Sequence, residues 1–435
     1  MRLLSRFAPC LLLLALLACA PAIPAVAPTA QPAQQENPTA LPMPTQIPEP
    51  TATPPPSTLV PAPTEGAPAP YPTSQQPVTI GAAPADLPGV LAAIPQTLQE
   101  YGGDLGALYA RLQEWKVLDE QPGFREYDLD GDGKPEVLLT LMAPVADPQA
   151  APLSGPRALV VLGQEGSGWA LRDSKLYDQA SNLAVPRIAD LTGDGRPDLV
   201  VTYQDCGAHT CFLTVDVLSY EGGRLQSRLP QPLSQSYADM KLELRDGKPT
   251  LALHGGEIGS VGAGPVQART DYYAWDGQGF RRVDTVWDPS NLRLHVYQAG
   301  DRALRKGDLK GAAELYQRVI SDATLLQTGM ADEKAERHAL EAFSYYRLVT
   351  VYAALGDRGA AQKALDALKK DYADHPCLAL AQAFWDAWEP TGNVSAGCAA
   401  ATAYAAEHEA DVGGSFGYYG YANPLPGVGD FCFLK

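Results

Sequence analysis

Positive charge is scarce in this chain. Its 33 lysines and arginines stand against 50 aspartates and glutamates, giving a formal net charge of −17. Nucleic acid and anionic lipid surfaces both require a basic face, so neither is expected as a docking partner. Soft metal ligands are thin as well: the six histidines are scattered and no Cys-x-x-Cys pair occurs, which disfavours zinc. No His-Glu-x-x-His, no phosphate-binding Gly-Lys-Ser/Thr loop and no dinucleotide glycine fingerprint is present. Gly413-Gly-Ser415-Phe-Gly417 matches the nucleophile-elbow pattern by letters only. No strand precedes it, and too little chain follows to supply an acid and a histidine. A long apolar run is also missing, since the stretch from Phe7 to Ala18 is far short of the roughly 20 residues that cross a bilayer. These absences point away from an enzyme and from a membrane-spanning protein.

What the N-terminus does contain is a positive start at Arg2 and Arg6, then the apolar run Leu11 to Leu17, closed by Ala18 and Cys19. That is the layout of a secretory signal peptide over 1–18. Leu16-Leu17-Ala18-Cys19 resembles the lipobox of bacterial lipoproteins. The resemblance implies a lipidated Cys19 as the mature N-terminus, with Cys10 discarded and the chain extracytoplasmic, anchored to the cell membrane or envelope. Multiple acyl chains hold firmly because each buried methylene contributes about 0.8 kcal/mol. The alternative is an ordinary signal peptide cleaved after one of the later alanines. Residues 19–85 are dominated by Pro, Ala, Thr and Gln, as in Pro-Thr-Ala-Thr-Pro-Pro-Pro-Ser at 50–57. Such a segment cannot bury enough apolar surface to offset its ordering entropy, so a disordered, extended tether is expected there.

Seven cysteines are present, five of them beyond Cys19. Cys206 and Cys211 flank Gly-Ala-His-Thr, a spacing suited to a disulfide that closes a small loop in an exported protein. Cys377, Cys398 and Cys432 leave one thiol over, and their pairing stays open.

The most specific motif in the remaining chain is an acidic loop that occurs twice. Asp128-Leu-Asp130-Gly-Asp132-Gly133-Lys134-Pro-Glu136 runs into Val137-Leu-Leu-Thr-Leu141. Asp190-Leu-Thr192-Gly-Asp194-Gly195-Arg196-Pro-Asp198 runs into Leu199-Val-Val-Thr-Tyr203. Oxygens at positions 1, 3, 5 and 9, with the backbone carbonyl of Lys134 or Arg196 at position 7, can wrap Ca²⁺, and glycine at position 6 permits the turn. Two structural calcium sites are expected. A helix-loop-helix calcium motif would place an acid at position 12, where Leu139 and Val201 stand inside apolar strand-like runs. The loop should therefore lead into a strand. A metal-free Asp/Gly hairpin turn is the plainer alternative.

The two segments resemble FG-GAP (VCBS) repeats, the calcium-loop blades of integrin-type β-propellers. A third copy is expected from Lys241 to Val283, with Leu242-Glu-Leu-Arg-Asp-Gly247 at the loop position but no metal, and with Tyr272 to Phe280 as its closing strands. A closed propeller needs at least about four blades, so residues 121–290 are expected to form a partial propeller or open β assembly. Residues 86–120 read as a helical lead-in placed to cap an edge of it.

After Asp288-Pro289-Ser290 the pattern turns Ala/Leu-rich and helical over 291–412. Val296, Ala299, Gly300, Ala303, Gly307, Ala312 and Tyr316 share their spacing with Tyr345, Leu348, Val349, Tyr352, Gly356, Ala361 and Leu365. The spacing resembles tetratricopeptide (TPR) repeats, in which small residues let paired helices pack closely. Residues 413–435, rich in glycine and aromatics, are expected to pack against the last helices. The whole reads as a multidomain surface lipoprotein that binds or scaffolds, with an unknown protein or peptide held by the helical repeats. A hydrolase acting on cell-wall or exogenous polymer, or an envelope assembly factor, are the alternatives.

Overall fold

The structure is a computed structural model, and it describes residues 71–119, 126–145 and 154–434. The signal peptide, Cys19 and the tether up to residue 70 lie outside the described residues.

Asp86 begins the regular structure by accepting the Gly89 N–H at 2.8 Å, which caps helix α1 (Leu87–Glu100). Asp104 does the same for α2 (Leu105–Glu114), accepting from Gly106. The apolar faces of this helix pair, including Leu87, Val90, Ile94, Leu108 and Leu112, are buried against strand residues Val137, Leu139, Val160 and Leu162. Residues 71–85 are neither helix nor strand, yet they are fastened along the pair. The Ser74 hydroxyl donates to Asp104 (2.6 Å), Thr79 N–H to the Tyr101 hydroxyl (2.8 Å) and the Trp115 indole to the Gly81 carbonyl (3.0 Å). The expected tether boundary at 85 therefore overshoots. Polar groups on α1 and α2 supply the partners that a solvated proline-rich chain would otherwise find in water.

Strands β1 (Glu126–Tyr127), β2 (Glu136–Met142), β3 (Gly155–Glu165) and β4 (Gly168–Ala189) follow in an antiparallel meander. β4 is 22 residues long. Up to Ala180 it pairs with β3; from Ser181 onward it pairs with β5 (Asp198–Cys206). It thereby closes one meander and opens the next, which continues through β6 (Cys211–Glu221) and β7 (Arg224–Ser227), with β8 (Leu233–Ser236) also on β6. A separate four-stranded sheet holds β9 (Asp239–Arg245), β10 (Lys248–Gly255), β11 (Arg269–Trp275) and β12 (Phe280–Trp287).

Alternation along the strands builds the layers, because successive side chains point to opposite faces. In β2, Val137, Leu139 and Leu141 face the helix pair while Leu138 faces the second meander. In β5, Leu199 and Val201 face the first meander, and Val200 faces Leu251, Leu253 and Phe280 of the third. Three meanders thus stack behind a helical cap, and no closed barrel forms among the described residues. The third repeat departs from expectation at its loop. Asp246 and Gly247, with φ of 51° and 74°, make a two-residue hairpin joining β9 to β10.

The helical region comprises α3 (Arg293–Arg305), α4 (Leu309–Ser321), α5 (Glu333–Ala354), α6 (Arg358–Asp371), α7 (Cys377–Trp388), α8 (Val394–Glu407) and the short α9 (Glu409–Gly414). Asp308 and Asp357 cap α4 and α6, directly after Gly307 and Gly356 end the preceding helices. Gly300 lets the Tyr316 ring lie where a side chain would otherwise stand, so α3 and α4 pack closely. Cys398 and Cys432 are joined by a disulfide, and Cys377 is the buried free thiol. The C-terminal segment reaches further than the last helices, as described below.

Candidate metal centre

Each acidic loop joins two antiparallel strands: residues 128–135 link β1 to β2, and 190–197 link β4 to β5. Both fold by the same local bonds. Asp128 accepts the N–H groups of Gly131 (2.8 Å) and Gly133 (3.1 Å); Asp190 accepts those of Gly193 (2.6 Å) and Gly195 (2.9 Å). All four glycines have φ between 77° and 87°, a region that side chains resist. The ninth residue turns inward and ties the loop shut. Glu136 accepts from Leu129 N–H at 2.8 Å, and Asp198 from Leu191 N–H at 2.9 Å. Leu129 and Leu191 are themselves buried, pinning each loop to the core between meanders. Their shared second position in the two loops is the sequence signal for this anchoring.

The loops differ in what their carboxylates face. In the first, ligand oxygens of Asp128, Asp130 and Glu136 all lie within 4.8 Å of one another. Oxygens on opposite sides of a Ca²⁺ ion stand about 5 Å apart, because each bond is about 2.3–2.6 Å. The spacing fits. Glu136 is buried, and burial pushes its carboxyl above the usual range, helped by the neighbouring charges of Asp130, Asp132 and Asp128. A cation would relieve that repulsion. Asp132 stands apart from the group, accepting the Lys134 N–H at 2.8 Å. An open cleft of about 220 Å³ beside the loop is also lined by Gln164, Arg172 and Tyr220 from β3, β4 and β6. These three lie outside the loop motif, and nothing in their local sequence marks them.

In the second loop no comparable group of three converges among the described residues. Asp198 is buried and bonded to the Ser219 hydroxyl and to the N–H groups of Leu191 and Thr192. Burial raises its carboxyl, and those donors pull it partly back. Asp194 turns to Arg196 (2.9 Å), whose guanidinium also reaches Glu221 (3.4 Å). The Arg196 stem lies beside the first loop, 3.7 Å from where a side chain at Gly131 would begin. Of the two expected sites, geometry therefore gathers ligands at the first.

Cys206 and Cys211 form the expected disulfide, across paired strand ends. Ser415 follows α9, and its hydroxyl donates to the Val412 carbonyl at 2.8 Å. No described helix is long and apolar enough to cross a membrane.

Among families of known proteins, residues 128–201 match the FG-GAP-like repeat. The match spans both acidic loops and the strands between them. No curated protein and no solved structure matches the chain.

Proposed function

We propose that this chain is a calcium-stabilised binding or scaffolding module, exported and held at a bacterial membrane or envelope by lipid on Cys19. The convergence of Asp128, Asp130 and Glu136 carries the calcium part of the reading. Three carboxylates turned to one point, one of them buried, form a hard-oxygen set that suits Ca²⁺ better than softer ions. FG-GAP-like repeats are often concerned with protein–protein binding or adhesion, which favours an interaction role over catalysis. The lipobox letters and the two disulfides, Cys206–Cys211 and Cys398–Cys432, favour an oxidising compartment outside the cytoplasm.

Calcium supplied at about a hundredfold over its Kd would stabilise the fold by about 2.7 kcal/mol. For a protein of this size that corresponds to a melting-temperature change of roughly 2–4 °C. Adding EDTA to the calcium-loaded protein should lower the melting temperature by that order, and Asp128→Asn should abolish the difference. Equal melting temperatures with and without chelator would defeat the calcium reading.

A further inference from the structure

The chain's last described segment is gripped in a way that regular structure does not require. Apart from the single 3₁₀ turn Val428–Asp430, residues 427–434 lie in a trough between α3, α5 and α8 with no strand or helix ladder of their own. Arg347, on α5, is almost wholly buried and forms a double ion pair with Asp301 of α3 (2.9 and 3.1 Å). Two of its three remaining N–H groups donate to the main-chain carbonyls of Asp430 (2.6 Å) and Phe431 (2.7 Å). The Tyr346 hydroxyl donates to the same Phe431 carbonyl at 2.6 Å. The Phe431 ring is buried against Phe343 at 6.2 Å between centroids. The Phe433 ring lies beneath two guanidinium groups, Arg305 at 4.0 Å and Arg347 at 4.5 Å. Arg305 also pairs with Asp430 at 2.8 Å.

These are the contacts by which a groove holds a foreign peptide: carbonyls at the end of a single main-chain turn are read by fixed donors, and the aromatic side chains at 431 and 433 pack against side chains of the helices. The Arg347 donors are set by a helix–helix ion pair independent of the segment. The Asp301–Arg347 pair, steadied by the Tyr316 hydroxyl on Asp301 (2.5 Å), needs nothing from residues 427–434. The Cys398–Cys432 disulfide then fastens the segment covalently in place.

We propose that this trough is a peptide-binding site that the chain occupies with its own residues 427–434. Once that segment is displaced, it takes a peptide that makes one such turn and carries two aromatic side chains separated by one residue. The proposal deepens the reading of the chain as a binding module, naming where the partner sits and its chemistry. It is independent of calcium.

The full chain with Cys398→Ser and Cys432→Ser is examined first, by amide hydrogen exchange. Residues 431–434 should exchange at least about tenfold faster than the centre of α5; protection equal to that of α5 would make the segment part of the core and overturn the proposal. The Cys398→Ser chain ending at Pro426 is then mixed with a labelled synthetic peptide of residues 427–435 carrying Cys432→Ser. Fluorescence anisotropy should rise saturably, and Phe431→Ala or Phe433→Ala in the peptide should weaken binding by about tenfold or more. The disulfide-linked full chain should not bind, because its tethered segment competes at high effective concentration. A shortened chain that fails to bind, or that no longer melts cooperatively, overturns the site. Binding by the shortened chain after EDTA treatment separates this outcome from the fate of the calcium reading.

Discussion

His375 shows how one buried side chain sets a pH limit. It sits between α6 and α7, with Nδ1 accepting the Cys377 N–H at 3.2 Å and its ring meeting Phe343 edge-on. Burial, aided by the neighbouring His338, pushes its pKa down to about 4. The unfolded chain takes up that proton near pH 6.5, whereas the folded one resists it until about 4. Stability from this group is thus complete above about pH 6.5 and is lost as pH falls through the window below. His375→Asn keeps an acceptor near Nδ1 but cannot titrate. Urea midpoints of the wild type should fall relative to this variant between about pH 6.5 and about pH 4, and parallel curves would refute the assignment. The Arg347–Asp301 pair has the opposite character: burial opposes the charge of Arg347, but Asp301 together with the neighbouring Tyr297, Tyr316 and Tyr346 outweighs it and keeps the guanidinium ionised. The first acidic loop was legible residue by residue because its bonds run between positions two to seven apart. Arg347's partners, Asp430 and Phe431, lie more than eighty positions away, and nothing local announces them.

Elements were legible where a local signal and a period agreed. Asp104 precedes an apolar-periodic stretch and becomes a cap; Asp357 follows Gly356 and does the same. The strands after each acidic loop were legible as apolar runs of strand length, and the turn to helices after Pro289 as a change of period. β4 was not. Its 22 residues include Asn182 and Pro186, which read as interruptions, and the structure accommodates them with register shifts between Ser181 and Arg187. The fastening of 71–85 is hidden for a related reason: composition speaks to what a chain can bury by itself and says nothing of a neighbour offering hydrogen bonds. Gly103 and Gly168 mark one such encounter. A side chain on Gly103 would come within 2.5 Å of Gly168 Cα, so the α1–α2 turn and the β3–β4 turn meet backbone to backbone, with Trp169 N–H on the Gly103 carbonyl at 3.1 Å. At the same helix pair, Asp104→Ala removes both the α2 cap and the anchor for Ser74. The expected loss is about 1–2 kcal/mol, read as a lower urea midpoint. It should be accompanied by faster proteolysis within 71–85, and a variant cleaved there no faster than the parent would disprove the fastening role.

The three meanders form a short stack, and a stack needs covers at both ends. At the start, the outer face of the first meander is apolar and is sealed by α1 and α2. At the third meander the outer face is dressed differently. Arg245 lies over the Tyr272 ring at 3.7 Å and pairs with Asp284 at 3.0 Å, placing charge where another sheet would require aliphatic side chains. The adjoining helical region meets this sheet at its edge, where Arg302 lies 3.9 Å over the Trp287 ring and reaches Gln267 at 2.8 Å. Polar dressing of the last sheet explains how the stack can stop at three meanders. The continuity of β4 carries a consequence for inheritance and for dissection alike. A polypeptide severed between Ala180 and Ser181 keeps the strand pairing within each portion but divides the apolar layer that they share, leaving Leu159, Val161 and Tyr177 on one and Leu199, Val201 and Leu218 on the other. Neither portion is a transferable unit, so these two repeats should be gained, lost or grafted only as a couple. Separately expressed pieces 71–180 and 181–434 should each lack a cooperative melting transition and regain one when mixed; a well-behaved solo piece would mean that the shared ribbon is divisible after all.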